Sequence, residues 1–228
     1  MNQTLIVILI LTLAEIATAQ QALPPEKAKP ILERLQLGMA SLSSVYVEFN
    51  QERHLKLFTE PLKSRGVMLI EKPDRIRWET SAPYQSILLG DRKSVAQFES
   101  TDGKWKKLKL GFPQMLRRVM EQMSLMHQGK LDSLTADYAV SVVSTDDVKM
   151  IVLVPKNKEV RALLDAVEMR MDSEFLAVRE IVMKEPGGDF TRLVMHNERR
   201  DVKFPAGTFD QNKPLELNAV KAALTHVP

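Results

Sequence analysis

The groups that could make or break bonds are few in this sequence and badly spaced for it. Its histidines, His54, His127, His196 and His226, stand far apart and without the H-E-x-x-H spacing that brings two imidazoles and a carboxylate to one zinc ion. No G-x-S-x-G turn raises a serine nucleophile, and no G-x-x-x-x-G-K-[ST] loop is present to cradle a phosphate. The closest carboxylate groupings are Asp146 with Asp147 and Glu168 with Asp172. They fall where turns and strand ends ordinarily carry solvated charge. Cysteine is absent, which removes thiolate metal sites, thiol nucleophiles and disulfides together. The expectation is a binding protein: not an enzyme, with no metal and no cofactor.

What the chain has in quantity is soft apolar side chains. Met68, Met115, Met120, Met123, Met126, Met169, Met171, Met183 and Met195 offer unbranched, polarizable thioethers, which repack around an irregular guest more readily than branched residues do. Aromatic residues make up only 6% of the chain. An adaptable apolar cavity is the chemistry these residue types suit, with ordinary core filling as the alternative for any one of them.

Such a cavity needs elements to line it. Pro24-Pro25 opens a helix in which Ala28, Ile31, Leu32, Leu35, Met39 and Leu42 recur at spacings of three and four, one apolar stripe. From Val45 the period becomes two, with Val47, Phe49 and Gln51 on the same face. Strands are predicted over 64–71, 75–80, 85–89, 94–98 and 104–109, then over 139–144, 148–154, 166–171, 176–184 and 191–199. Lys72-Pro73-Asp74, Gly90-Asp91, Asp102-Gly103 and Pro186-Gly187-Gly188-Asp189 mark turns between them. Two meanders of antiparallel strands result. Between them, Leu116, Val119, Met120, Met123 and Met126 predict an amphipathic helix over 113–127, and a shorter helix is expected over 131–138. Alternation points Ile76 and Trp78 inward against Arg75 and Arg77, and sets Val167, Met169 and Met171 against Glu168 and Arg170. Met68 and Ile70 alternate with Val67 and Leu69, so that strand is apolar on both faces and does not decide.

The N-terminus reads as an export signal. A nine-residue apolar run, Leu5 to Leu13, precedes Ala17-Thr18-Ala19, the small-x-small pattern for cleavage between Ala19 and Gln20. At about 1.5 Å each, nine residues cover less than half of a hydrocarbon core roughly 30 Å thick. Gln20 stands where a lipid-anchored bacterial protein would need Cys, so a free protein is expected. Residues 20–228 are read as one domain, and as a monomer. Without Glu15 this part holds 32 basic and 28 acidic residues, interspersed, which is no nucleic-acid footprint.

Read in order, Phe49-Asn50-Gln51, Ser64-Arg65-Gly66, the run from Lys72-Pro73 to Trp78, Pro83-Tyr84-Gln85-Ser86-Ile87 and Gly90-Asp91 resemble the LolA family, periplasmic carriers of lipoproteins from the inner to the outer membrane. The resemblance implies a mostly β (α+β) fold: an incomplete, strongly curved antiparallel β-barrel with helices covering a concave apolar cavity. The cavity would be lined by Phe49, Met68, Ile70, Ile76, Trp78, Ile87, Met169, Met171, Met183 and Met195 from the sheet. Leu116, Val119, Met120 and Met123 would line it from a lid helix at 113–127. It further implies a periplasmic protein whose partners are an acylated lipoprotein, an inner-membrane export complex and an outer-membrane receptor. A glycolipid or lipid-linked pigment as cargo, or a lipid-sensing module on the same fold, are the alternatives. In the family an Arg before the Pro of the third motif is thought to latch the lid; here Lys72 takes that position and lacks the planar fork of a guanidinium.

Overall fold

The computed structural model describes residues 22–110, 121 and 124–225. The expected signal with its Ala19/Gln20 junction, and Leu116, Val119, Met120 and Met123 of the expected lid helix, lie outside the described residues. Eleven strands form one antiparallel sheet: β1 (Ser44–His54), β2 (Leu62–Glu71), β3 (Arg75–Ala82), β4 (Gln85–Gly90), β5 (Val95–Thr101), β6 (Lys104–Lys107), β7 (Tyr138–Ser144), β8 (Lys149–Pro155), β9 (Ala166–Met171), β10 (Val178–Lys184) and β11 (Phe190–Arg200). Their spatial order is β6-β5-β4-β3-β2-β1-β11-β10-β9-β8-β7. Two meanders therefore meet where β1 pairs with β11, and among the described residues β6 and β7 are the end strands of a barrel that does not close. Each strand expected from periodicity is present, with ends displaced by a few residues.

The concave face is crossed by α1 (Pro25–Ser41). Prolines at its start supply a preset φ where an N–H would be unpartnered anyway. The stripe expected for it is the one that packs: Ala28 and Leu35 are buried and Ile31, Leu32 and Met39 half-buried against the sheet. Further helices are α2 (Leu131–Asp137), which leads into β7, α3 (Lys158–Arg161) and α4 (Leu217–Thr225).

The opposite face is covered as well. Residues 202–225 run back over β1 to β3, and Phe204, Val220 and Leu224 pack on Tyr46, Val67 and Leu69. This second layer explains why β2 is apolar in both phases of its alternation. It also alters the reading of β3. Ile76 and Trp78 do face the concave side, but Arg77 on the other face does not reach water: it is 0% exposed. Its guanidinium donates to Glu79 Oε2 at 2.9 and 2.5 Å and to the Thr208 carbonyl at 2.8 Å. Burial pushes the Glu79 carboxyl up and the Arg77 contact opposes that rise.

Candidate functional site

The middle of the concave face is built by cross-strand neighbours. Register places Val47 opposite Met68, Met68 opposite Trp78, Ile70 opposite Ile76 and Phe49 opposite Met195. All of these but Trp78 form, with Leu193, one buried apolar cluster, edged by the half-buried Trp78, Val45, Leu88, Ile181 and Met183. The Phe49 and Trp78 rings meet at 4.9 Å between centroids, tilted by 47°. Gly66, opposite Phe49 on β2, makes that contact possible: a Cβ there would lie 2.8 Å from the ring and 1.9 Å from the Glu79 carbonyl oxygen. The glycine of the second motif thus leaves room for the Phe49 ring.

A second cluster lies under α1 at the β7 edge. Met169 and Met171 join Ala28, Leu35, Val142, Ile151, Leu153 and Phe175, and Ile181 touches both clusters, so the apolar face is continuous. Between α1 and this part of the sheet is a hollow of about 300 Å³, walled by Leu23, Ala28, Leu32, Leu35, Leu134, Val140, Ile151, Leu153 and Met169. Lys29, Glu33, Gln36, Thr135 and Ser141 are the polar groups on its lining. The inner walls offer dispersion and dewetting and almost nothing to hydrogen-bond.

One end of α1 is fastened by the turn between β2 and β3. Lys72 Nζ donates to the carbonyls of Met39 (3.2 Å), which also accepts the C-cap Leu42 N–H, and Ala40 (2.5 Å), at the negative end of the helix dipole. Next to it the Pro73 carbonyl accepts from Ser124 Oγ (3.2 Å) and Gln128 Nε2 (2.7 Å). Residues 124–127 are helical, and the turn after them presses on α1. A Cβ at Gly129, whose φ is +70°, would stand 2.3 Å from the Gln36 carbonyl oxygen. His127 sits in this junction, 4% exposed, with Nε2 unpartnered. Burial first, and then the Lys72 charge, hold its pKa down to about 4, against a weaker upward pull from a Ser43 backbone hydrogen bond and Asp201.

The expected residues therefore divide. Phe49, Met68, Ile70, Ile76, Trp78, Met183 and Met195 come together in the middle cluster, and Met169 and Met171 beside the hollow. Ile87 does not belong with them. It pairs with Glu79 and Phe98 and packs with Leu89, Ala96 and Phe98 on the outer face, while Leu88 takes the concave side opposite Trp78. With Ile87, Leu88 and Leu89 all apolar, alternation in β4 carried no phase. Lys72 does hold a helix over the concave face, but that helix is α1; the 124–128 segment is held by the Pro73 carbonyl instead. Sequence reasoning passed over Ile151, Leu153 and Leu134 as lining residues. For β8 the reason is the same as for β4, an apolar run from Met150 to Val154.

The sheet, its apolar hollow and the helix across it define the class: an open β half-barrel with a covered concave face. The family described as "Outer membrane lipoprotein carrier protein LolA" matches residues 40–212, and the chain belongs to that family. It is 24% identical over 189 residues to an outer-membrane lipoprotein carrier protein of Chromohalobacter salexigens, covering 83% of this chain and 86% of that one. A protein of the same description from Bordetella avium is 23% identical over 170 residues, or 72% and 73% of the two chains. Among solved structures, a LolA superfamily protein of Nitrosomonas europaea superposes with a TM-score of 0.45 at 14% identity, covering 81% of this chain and 98% of that one.

Proposed function

We propose that the chain is a periplasmic shuttle that takes the acyl chains of lipoproteins against its concave face and carries them from the inner to the outer membrane. The observation that supports this most directly is the continuous apolar surface under α1 with a hollow of about 300 Å³. Each methylene hidden from water is worth about 0.8 kcal/mol, so a multiply acylated protein does not leave a bilayer without such a shelter. Release requires the shelter to be loose. Methionine walls and a helix with only two buried side chains, Ala28 and Leu35, supply that looseness.

In this reading residues 1–19 are removed after Ala19 and residues 20–228 diffuse as a single-domain monomer. Among the described residues no helix is long and apolar enough to cross a membrane. The sequence carries no nucleotide-binding loop, so the work of loading falls to an inner-membrane partner, and delivery to an acceptor at the outer membrane.

The test uses Leu32→Glu on α1 and Trp78→Glu on β3, both half-buried on the apolar face. Each puts a charge where acyl chains would lie. Both variants are expected to fold, by circular dichroism, and to lose uptake of a fluorescent triacylated peptide by about tenfold or more. Mass spectrometry of lipid copurifying with the protein should show acylated protein in the parent and not in the variants. Uptake at the parental level in both would overturn the reading.

A further inference from the structure

Among the described residues the exposed large apolar side chains are Leu37, Leu57, Phe58, Leu62, Tyr84 and Leu163. All but Leu37 gather at one end of the sheet. Leu57 and Phe58 form the tip of the β1–β2 hairpin and Leu62 starts β2 opposite Arg53. The β3–β4 turn that carries Tyr84 is at the same end, because Ala82 pairs with Arg65. So is the β8–β9 connection with Leu163: it follows Pro155 and precedes Ala166, which pairs with Lys184, which pairs with Phe190, which pairs with His54.

Looseness does not account for the exposure. Leu57 is 93% and Phe58 56% exposed, yet the tip is held by Phe58 N–H to the Leu55 carbonyl (2.9 Å) and Lys56 N–H to Asp189 Oδ1 (2.9 Å). Beneath it the His54 and Phe190 rings stack at 4.2 Å. The hairpin is also basic: Arg53, Lys56, Lys63 and Arg65 face a single acid, Glu60, between residues 53 and 65. Arg53 and Lys63 are partly neutralised by Glu185 and Glu52, whereas Lys56 and Arg65 form no ion pair among the described residues.

We propose that this rim docks on the surface of an anionic phospholipid bilayer, with Leu57 and Phe58 entering the headgroup region and Lys56 and Arg65 paired with lipid phosphate. Leucine and aromatic side chains beside lysine and arginine are what the bilayer interface accepts, and cations near it are drawn to anionic lipid. The apolar groups stand on projecting turns of three separate connections instead of lining a groove. A flat, deformable surface meets them together, where a folded partner would have to match each.

Co-sedimentation of the purified chain with vesicles tests this. The chain is expected to sediment with phosphatidylethanolamine–phosphatidylglycerol vesicles and far less with phosphatidylcholine vesicles, and salt should weaken the binding. The pair Leu57→Asp and Phe58→Asp should lower it by about tenfold or more, and the pair Lys56→Gln and Arg65→Gln should remove the preference for anionic lipid. Uptake of the triacylated peptide should be unchanged in both. Leu32→Glu, which disables the proposed cargo face, should still sediment; sedimentation lost in Leu32→Glu but kept in the rim variants would mean that the cargo face extracts lipid, and would overturn the rim proposal. Equal binding of parent and rim variants to both vesicles, or binding of a protein partner that depends on Leu57 and Phe58 in a chain that ignores vesicles, would overturn it too.

Discussion

His127 is the titratable side chain whose environment most changes what it can do. Its imidazole is packed among α1, the β2–β3 turn and Ser43, close to the Lys72 ammonium, and its pKa falls from 6.5 to about 4. The unfolded chain takes up the proton near 6.5 and the folded chain resists it down to about 4. The stability associated with the neutral ring is therefore full above pH 6.5 and is lost as pH falls toward 4, by about 3 kcal/mol at most. Thermal unfolding followed across this window should show that decline in the parent and a flatter profile in His127→Phe. Parallel profiles would mean that the ring is protonated as easily folded as unfolded.

At the scale of elements the question is how firmly α1 covers the apolar face. Few of its side chains are fully buried, and Lys72 is the group that fastens its C-terminal turn. A cation on the last carbonyls of a helix contributes about 1 kcal/mol, more where partly buried. Lys72→Ala is expected to lower global stability by about that amount while amide hydrogens along Pro25–Ser41 exchange several times faster and acyl ligand enters faster. Lys72→Arg should restore protection. Equally faster exchange of the whole sheet together with α1 would instead assign Lys72 a global structural role.

At the scale of the molecule the sheet is a shared wall: one side meets α1 and the hollow, the other the C-terminal segment. Arg77 joins them, since β3 carries Ile76 and Trp78 toward the cavity and Arg77 toward Glu79 and the Thr208 carbonyl. Arg77→Ala leaves Glu79 buried without its partner and should cost about 3–5 kcal/mol in urea unfolding. Replacing both, Arg77→Met with Glu79→Met, should cost less than Arg77→Ala alone, because no uncompensated charge remains. An Arg77→Ala loss below about 1 kcal/mol would show that Glu79 is solvated or neutral in the folded state.

Where apolar and polar residues alternate cleanly, the sequence alone determined the strand, its inward face and its place in the meander. β1, β3 and β9 are of this kind, and the turn residues between them set the order of elements. The stripe on α1 and the family motifs from Phe49 to Asp91 were equally legible, because period and turn chemistry are local. Only the tertiary structure decided what lay on the second face of each strand. Ile87 went outward and Leu88 inward because β4 is apolar in both phases, and register with β3 breaks the tie. Arg77 lost its water because residues more than a hundred positions later fold back over it. Lys72 found α1 because the β2–β3 turn and the end of that helix arrive at the same corner. Alternation says which residues share a face; what covers the face depends on contacts between segments far apart in the chain, and no local period records those.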